Sequence, residues 1–401
     1  MSTLLTAAPK CVKKREDFLA RYSEDELQLM LDMANDADPI ADSVIIEQMT
    51  SEKGSKSDIR QGVKEGLSSL STPAPALRAF LEDSELLPDW VNQDTLVKGA
   101  ENYLTVNALW QSVSLGPGSL THTYCSPTIA KVLTQTTNIT DMAVRRILET
   151  ALWKQYVLVP NGLTPGNQGY IHTLEVRLLH SRVRMGLLKK GWDTETLGQP
   201  INQLDMMRTW LDFTYIPFMA LEKFGITYSN EELNDVYHLW QLIAKLLGIP
   251  EKYYRLVQDK ASAQKMLAML DMVSNEPNEN SKLLTEKMLL ALGHILSPFI
   301  GLPADVTIDL MHSFCRVIHG DELADQLGVT QNATMALIPV FTAANAYEKQ
   351  ILDNSPEYRQ QKIQETLATF DMIADDIEAG GQTTYQQNAD VMGEADIPQT
   401  T

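Results

Sequence analysis

Between Ser229 and Pro250 the chain spells out a complete helix. Ser229-Asn230-Glu231-Glu232 is a capping box, in which the serine hydroxyl accepts from the backbone three residues on and the glutamate returns the bond. Gly248-Ile249-Pro250 ends the helix: glycine takes the left-handed turn and proline cannot continue. The same grammar recurs along the chain. Ser23-Glu24-Asp25-Glu26 opens a helix toward Ala34, and Ser355-Pro356 puts a cap before a proline at the first helical position of a helix reaching about Ile377. Asn202 precedes Leu204, Met207, Leu211, Phe218 and Leu221 near helical spacing, and Pro217 is expected to kink that helix. No sustained two-residue alternation occurs. The β-rich run Tyr156-Val157-Leu158-Val159-Pro160 reads as an extended connection. The fold class is therefore all-α.

With 401 residues, 44% of them hydrophobic, the chain can bury a sizeable core. Four regions are expected: a polar helical segment 1–85 with a Ser/Lys/Gly-rich link at 51–71, an apolar core 86–350, a C-terminal helix 351–378, and an acidic tail 379–401. Residues 273–281 read as an exposed loop. The longest uncharged run is broken at Gly116-Pro117-Gly118. Thirty-three bases against 52 acids leave a formal charge of −19, which repels phosphate backbones, so no nucleic-acid partner is expected. Three cysteines (Cys11, Cys125, Cys315) without metal-type spacing suit a reducing compartment. The apolar residues near the start precede the charges, the reverse of a secretory signal. Residues 288–304 are apolar but short and carry Pro298, Gly301 and Pro303, so a buried helix plus loop is expected rather than membrane contact. A soluble cytoplasmic protein is the resulting expectation.

Phosphate loops, dinucleotide fingerprints, the serine-hydrolase elbow and zinc-protease motifs are missing from the sequence. Two Asp-x-x-His pairs, Asp235/His238 and Asp309/His312, share helix faces and could each contribute to a di-metal bundle, or simply be solvated. A third constellation is more informative. The segment 173–188 reads as a helix with Leu174, Leu178, Leu179, Val183 and Leu187 as its apolar positions. His180 sits among them, with Arg177 three residues before and Arg184 four after. Such a stripe repels itself and buries charge unless an anion meets it. That anion is either a set of buried carboxylates or a ligand. Haem fits chemically: imidazole binds iron, guanidinium groups answer propionates, and leucines cover the porphyrin.

The wider pattern resembles the rubber oxygenase (latex-clearing protein) and mycophenolic-acid-pathway oxygenase family. It is carried by Arg146-x-x-x-Thr150, by Arg177-x-x-His180-x-x-x-Arg184, and by Gly198-Gln199-Pro200-Ile201-Asn202-Gln203 running on to Asp205. Phe213, Tyr215, Gly225 and the run Tyr237-His238-Leu239-Trp240 complete it. The resemblance covers roughly residues 86–328. It implies a globin-like helical core with added N- and C-terminal helices, one haem b with its iron, and dioxygen-dependent cleavage of an isoprenoid double bond. On that resemblance His180 is the axial iron ligand, its Nδ1–H bonded to the Val176 carbonyl. Arg177, Arg184 and, in a looser match, Arg316 face the haem propionates, and Arg146, Glu149 and Thr150 line the oxygen side. Rubber-cleaving members carry a lysine where this chain has Glu149, which serves here either as a base or as an ion-pair partner of Arg146. With no secretory order either, a small hydrophobic olefin with dioxygen is the expected substrate pair. The alternatives are a haem sensor or carrier without turnover, and a cofactor-free helical scaffold.

Overall fold

The computed structural model describes residues 15–50, 55–136 and 139–379, with backbone alone for 139–146 and 371–379. Every regular element among them is helical. Both capping boxes form. Ser23 Oγ accepts from the Glu26 N–H at 3.2 Å, and Glu26 accepts from the Ser23 N–H at 2.8 Å. Ser229 and Glu232 repeat the exchange at 3.1 and 2.8 Å. The helix Asn230–Leu246 stops as expected. The Ile249 N–H bonds the Ala244 carbonyl at 3.0 Å, the Gly248 N–H bonds that of Lys245 at 3.1 Å, and Gly248 sits at φ +80°.

Several local expectations change. Pro217 divides the chain rather than kinking it: Gln203–Thr214 ends at Tyr215, and Ile216–Lys223 begins with Pro217 in its first turn. A missing N–H costs little there. The run at 156–160 is not extended, because the helix Ile139–Leu158 takes in its first three residues and buries Val157 and Leu158. Burial outweighs β-propensity at those two positions. The link at 51–71 contains the helix Lys56–Glu65, which buries Ile59 and Val63. The loop at 273–281 is shorter than expected, since the next helix starts at Glu279 and buries Ser281. Gly116-Pro117-Gly118 does not interrupt its helix. It forms a π-helical turn, Ser114–Leu120, between Ala108–Val113 and Thr121–Tyr124. His319 Nε2–H donates to the carbonyls of Pro117 and Gly118 in this turn at 2.9 and 3.0 Å.

Two large apolar cores result, with a small third cluster of Val132, Leu187 and Trp192. The larger joins Met30, Leu31 and Phe80 from the N-terminal segment to Trp210, Tyr237 and Trp240, and to Ile363 and Phe370 near the C-terminal end. Residues on both sides of the central region thus share one core with it. Each large side chain fully buried there contributes roughly 1.5–3 kcal/mol. The smaller core gathers Trp110, Phe224 and Phe314 around the helix Glu279–Ile300. That helix alone among those described is long and apolar enough by composition to cross a membrane. It buries Leu284, Met288, Leu289, Leu292 and Leu296 against protein and is capped by Gly301 in a left-handed turn, so it is a core helix here. The acidic tail 380–401 and Cys11 lie outside the described residues.

Candidate functional site around His180

His180 lies on the helix Gln168–Lys189, which runs antiparallel to Ile139–Leu158 after a short connection. Trp153 Nε1 donates to Thr173 Oγ1 at 3.0 Å, and Tyr156 stacks on His172 with ring centres 5.2 Å apart. From that contact, Thr150 is about one turn along its helix and His180 about two turns along the other, both away from the connecting loop. The hairpin therefore brings the half-buried pair Glu149 and Thr150 to the same end as His180. The side chain of Arg146, expected beside them, lies outside the described residues.

Burial first, then the nearby Arg184 charge, push the His180 imidazole down to about 4, with Asp38 opposing. The ring is neutral at physiological pH. Its Nδ1 is buried without a hydrogen-bond partner, so the expected bond to the Val176 carbonyl is absent. Inside a helix that carbonyl already accepts the backbone N–H four residues on, which is that of His180 itself.

The anions that meet the basic stripe are protein carboxylates. Arg177 grips Asp38 with both edges of its fork, Nε to Oδ2 at 2.6 Å and Nη2 to Oδ1 at 3.1 Å. Its Nη1 reaches Asp83 at 2.8 Å, and the guanidinium lies 5.1 Å from the centre of the Phe80 ring. Arg184 donates to Asp42, to the Pro200 carbonyl at 3.0 Å and to the Ile201 carbonyl at 2.8 Å. Asp42 also accepts from Ser181 at 2.6 Å. Arg316 is held by Asp321 and Asp325, each at 2.7 Å, and by the Val329 carbonyl, fastening its own helix to the next. All three guanidinium groups thus donate to protein oxygens in this arrangement.

The two Asp-x-x-His pairs have ordinary duties. His238 Nε2 accepts the Asn92 N–H at 3.0 Å, and His312 Nδ1 accepts the Thr330 N–H at 3.0 Å. Among the described residues no group of three or more His, Cys, Asp or Glu is placed to hold a metal ion, which removes the support for a di-metal bundle.

Two buried polar features had no marker in local sequence. Asp212 accepts from His122 Nδ1 and from Thr123 Oγ1, each at 2.6 Å, while Arg208 pairs with Asp271 at 2.8 Å beside them. Lys154, on the helix of Thr150, is buried with its amine 2.6 Å from Gln111 Oε1 and over the Tyr103 ring. Burial alone brings that amine down to about 7. Near pH 7 the folded chain therefore holds a proton poorly at a site where the unfolded chain holds it well. Lys154→Met is expected to raise the melting temperature at pH 7 and to do so less at pH 9.5. A lower melting temperature at both values would show that the Gln111 bond outweighs the buried charge.

Residues 106–346 match the sequence profile of the catalytic domain of the ER-bound oxygenase mpaB/B′ and rubber oxygenase family. The chain belongs to this family. It is similar to the rubber oxygenase of Streptomyces sp. (strain K30), 24% identical over 262 residues, which are 65% of this chain and 62% of that protein. It is also similar in fold to the closed state of latex clearing protein LCP. That likeness has a TM-score of 0.62 at 20% identity over 83% of this chain and 88% of the other. The mpaB/rubber oxygenase match thus begins after the N-terminal helices that supply Asp38, Asp42 and Asp83 to the arginines flanking His180.

Proposed function

We propose that this chain is a haem-b-dependent oxygenase that uses dioxygen on a small hydrophobic olefin, with His180 as the axial iron ligand. One observation carries the reading: the His180 imidazole is held neutral, and its Nδ1 is buried without a hydrogen-bond partner. Iron takes an unprotonated imidazole nitrogen, so a ring kept neutral by its surroundings binds metal at pH 7 without first losing a proton. As an axial ligand His180 fits a haem. Arg177, Arg184 and Arg316 already hold carboxylates of the chain itself, and the anionic edge of a haem is not assigned to them. Haem iron bound there would supply the oxygen chemistry that side chains lack. Glu149 and Thr150 would face the oxygen side, Thr150 as a hydroxyl donor and Glu149 as a base or as the partner of Arg146. A carboxylate at position 149 in place of the rubber-cleaving members' lysine supports a small olefinic substrate over polymer. The free thiols Cys125 and Cys315 are compatible with a cytoplasmic setting.

The test is His180→Ala. The variant is expected to lose the Soret band after purification with added haemin, while its far-ultraviolet circular dichroism stays that of the wild type. Full haem occupancy in the variant would overturn the ligand assignment.

A further inference from the structure

We propose that Asp38 and Asp42, from the segment preceding the family's catalytic domain, are positioning residues of the His180 site. They fix the rotation and height of the helix that carries the imidazole. The proposal rests on the reading of His180 as an axial ligand.

Asp38 is itself immobilised. It caps the helix Pro39–Thr50, its Oδ1 accepting the Ala41 N–H at 3.2 Å, and Pro39 follows at the first helical position. From there its carboxylate meets Arg177 through two bonds. One turn later Asp42 meets Ser181 and Arg184. Residues 38 and 42 on one helix thus mesh with 177, 181 and 184 on the other, and His180 lies inside that interval. Turning the His180 helix by one residue would swing each of these side chains about 100°, and sliding it would move them about 1.5 Å per residue. Either shift breaks the bidentate pair, whose geometry tolerates little error.

The arrangement is closed from a third side. The loop that carries Gly198 to Gln203 is tied to the same N-terminal stretch: the Gln199 N–H bonds the Ala34 carbonyl at 3.2 Å and the Gln203 N–H bonds that of Asp36 at 3.0 Å. Gln203 Nε2 bridges the carbonyls of Ala37 and Gly248 at 2.8 and 3.1 Å. Pro200 and Ile201 of this loop also receive Arg184. The Gly-x-Pro-Ile-Asn-Gln motif therefore has a structural duty: it locks the N-terminal segment and the His180 helix into one register.

The experiment compares the wild type, Asp38→Asn, Asp42→Asn and a surface control, Glu279→Gln, which loses only an exposed ion pair with Lys282. Haemin titration, the electron paramagnetic resonance spectrum of the ferric complex, and hydrogen exchange of the haem-free chain are measured on each. The expected result for both Asn variants is at least about tenfold weaker haemin binding, altered g-values, and faster exchange in Gln168–Lys189 than in Ala304–His319. The control is expected to match the wild type. Unchanged exchange in the His180 helix would overturn the proposal. Faster exchange with wild-type haemin affinity and spectrum would also overturn it, leaving a packing role alone. A wild type that binds no haemin would instead sink the reading of His180 as a ligand, and with it any need to aim the ring.

Discussion

Gly248→Ala is expected to cost the chain at least about 3 kcal/mol of stability, because its side chain would enter the buried pair that fixes the His180 helix. Two effects add. An L-residue at φ +80° costs about 1–2 kcal/mol where glycine costs nothing. The new Cβ would also stand 2.1 Å from Asp38 Oδ2 and 2.6 Å from Arg177 Nε, so carboxylate or guanidinium must move. Both are nearly inaccessible to solvent, and separating a buried pair costs about 3–5 kcal/mol since each charge is left without compensation. Gly301→Ala isolates the first effect. That glycine has φ +74° with nothing within 4 Å of the added carbon, so only the backbone strain is expected. Urea denaturation of the two variants checks the difference. Equal losses would mean that the pair yields freely and that Gly248 serves only as a helix stop.

The sequence is most legible where its signals are local. Capping boxes at Ser23 and Ser229, the stop at Gly248 and the cap at Ser355 depend on neighbours within a turn, and all four form. The need for an anion beside Arg177 and Arg184 was equally local, since three basic groups on one apolar stripe cannot stand alone. Which anion meets them was not. Asp38 is 139 residues from Arg177 and Asp42 is 142 from Arg184, distances over which spacing carries no information. Asp38-Pro39 did offer a helix-start signal that would have placed a carboxylate at a helix end. The errors at Pro217 and at 156–160 share one physical cause. Intrinsic preference yields there to position and packing: a proline is welcome in a first turn, and Val157 and Leu158 are helical because the core needs them. The Asp212–His122 pair could not be read at all, because 90 residues separate its members.

That pair sets the second large effect. The stability contributed by the His122 proton is expected to fall by about 3 kcal/mol between roughly pH 6.5 and pH 9, and Asp212→Asn to remove most of that contribution, read as the difference between wild type and variant. Burial by itself would drive the His122 imidazole down, but Asp212 at 2.6 Å from Nδ1, helped by Asp271 at 3.4 Å from Nε2, raises it from 6.5 to about 9. A histidine whose folded value is raised binds its proton more tightly folded than unfolded. The stabilisation is therefore complete below the unfolded value of 6.5, declines as pH rises, and is gone above about 9. Replacing Asp212 by Asn removes the charge that holds this proton and leaves a buried imidazole between the Arg208 cation and Asp271, where burial and Arg208 favour the neutral form. The gap between wild type and variant should then be largest near pH 6 and shrink toward pH 9.5. Thr123 keeps an oxygen acceptor in the Asn side chain, so the residual gap at high pH measures the lost charge-assisted bond, about 1.5–3 kcal/mol. Urea midpoints for both proteins at pH 6, 7.5 and 9.5 decide the matter. A gap that stays constant across that range would show that His122 does not carry the proton in the folded chain.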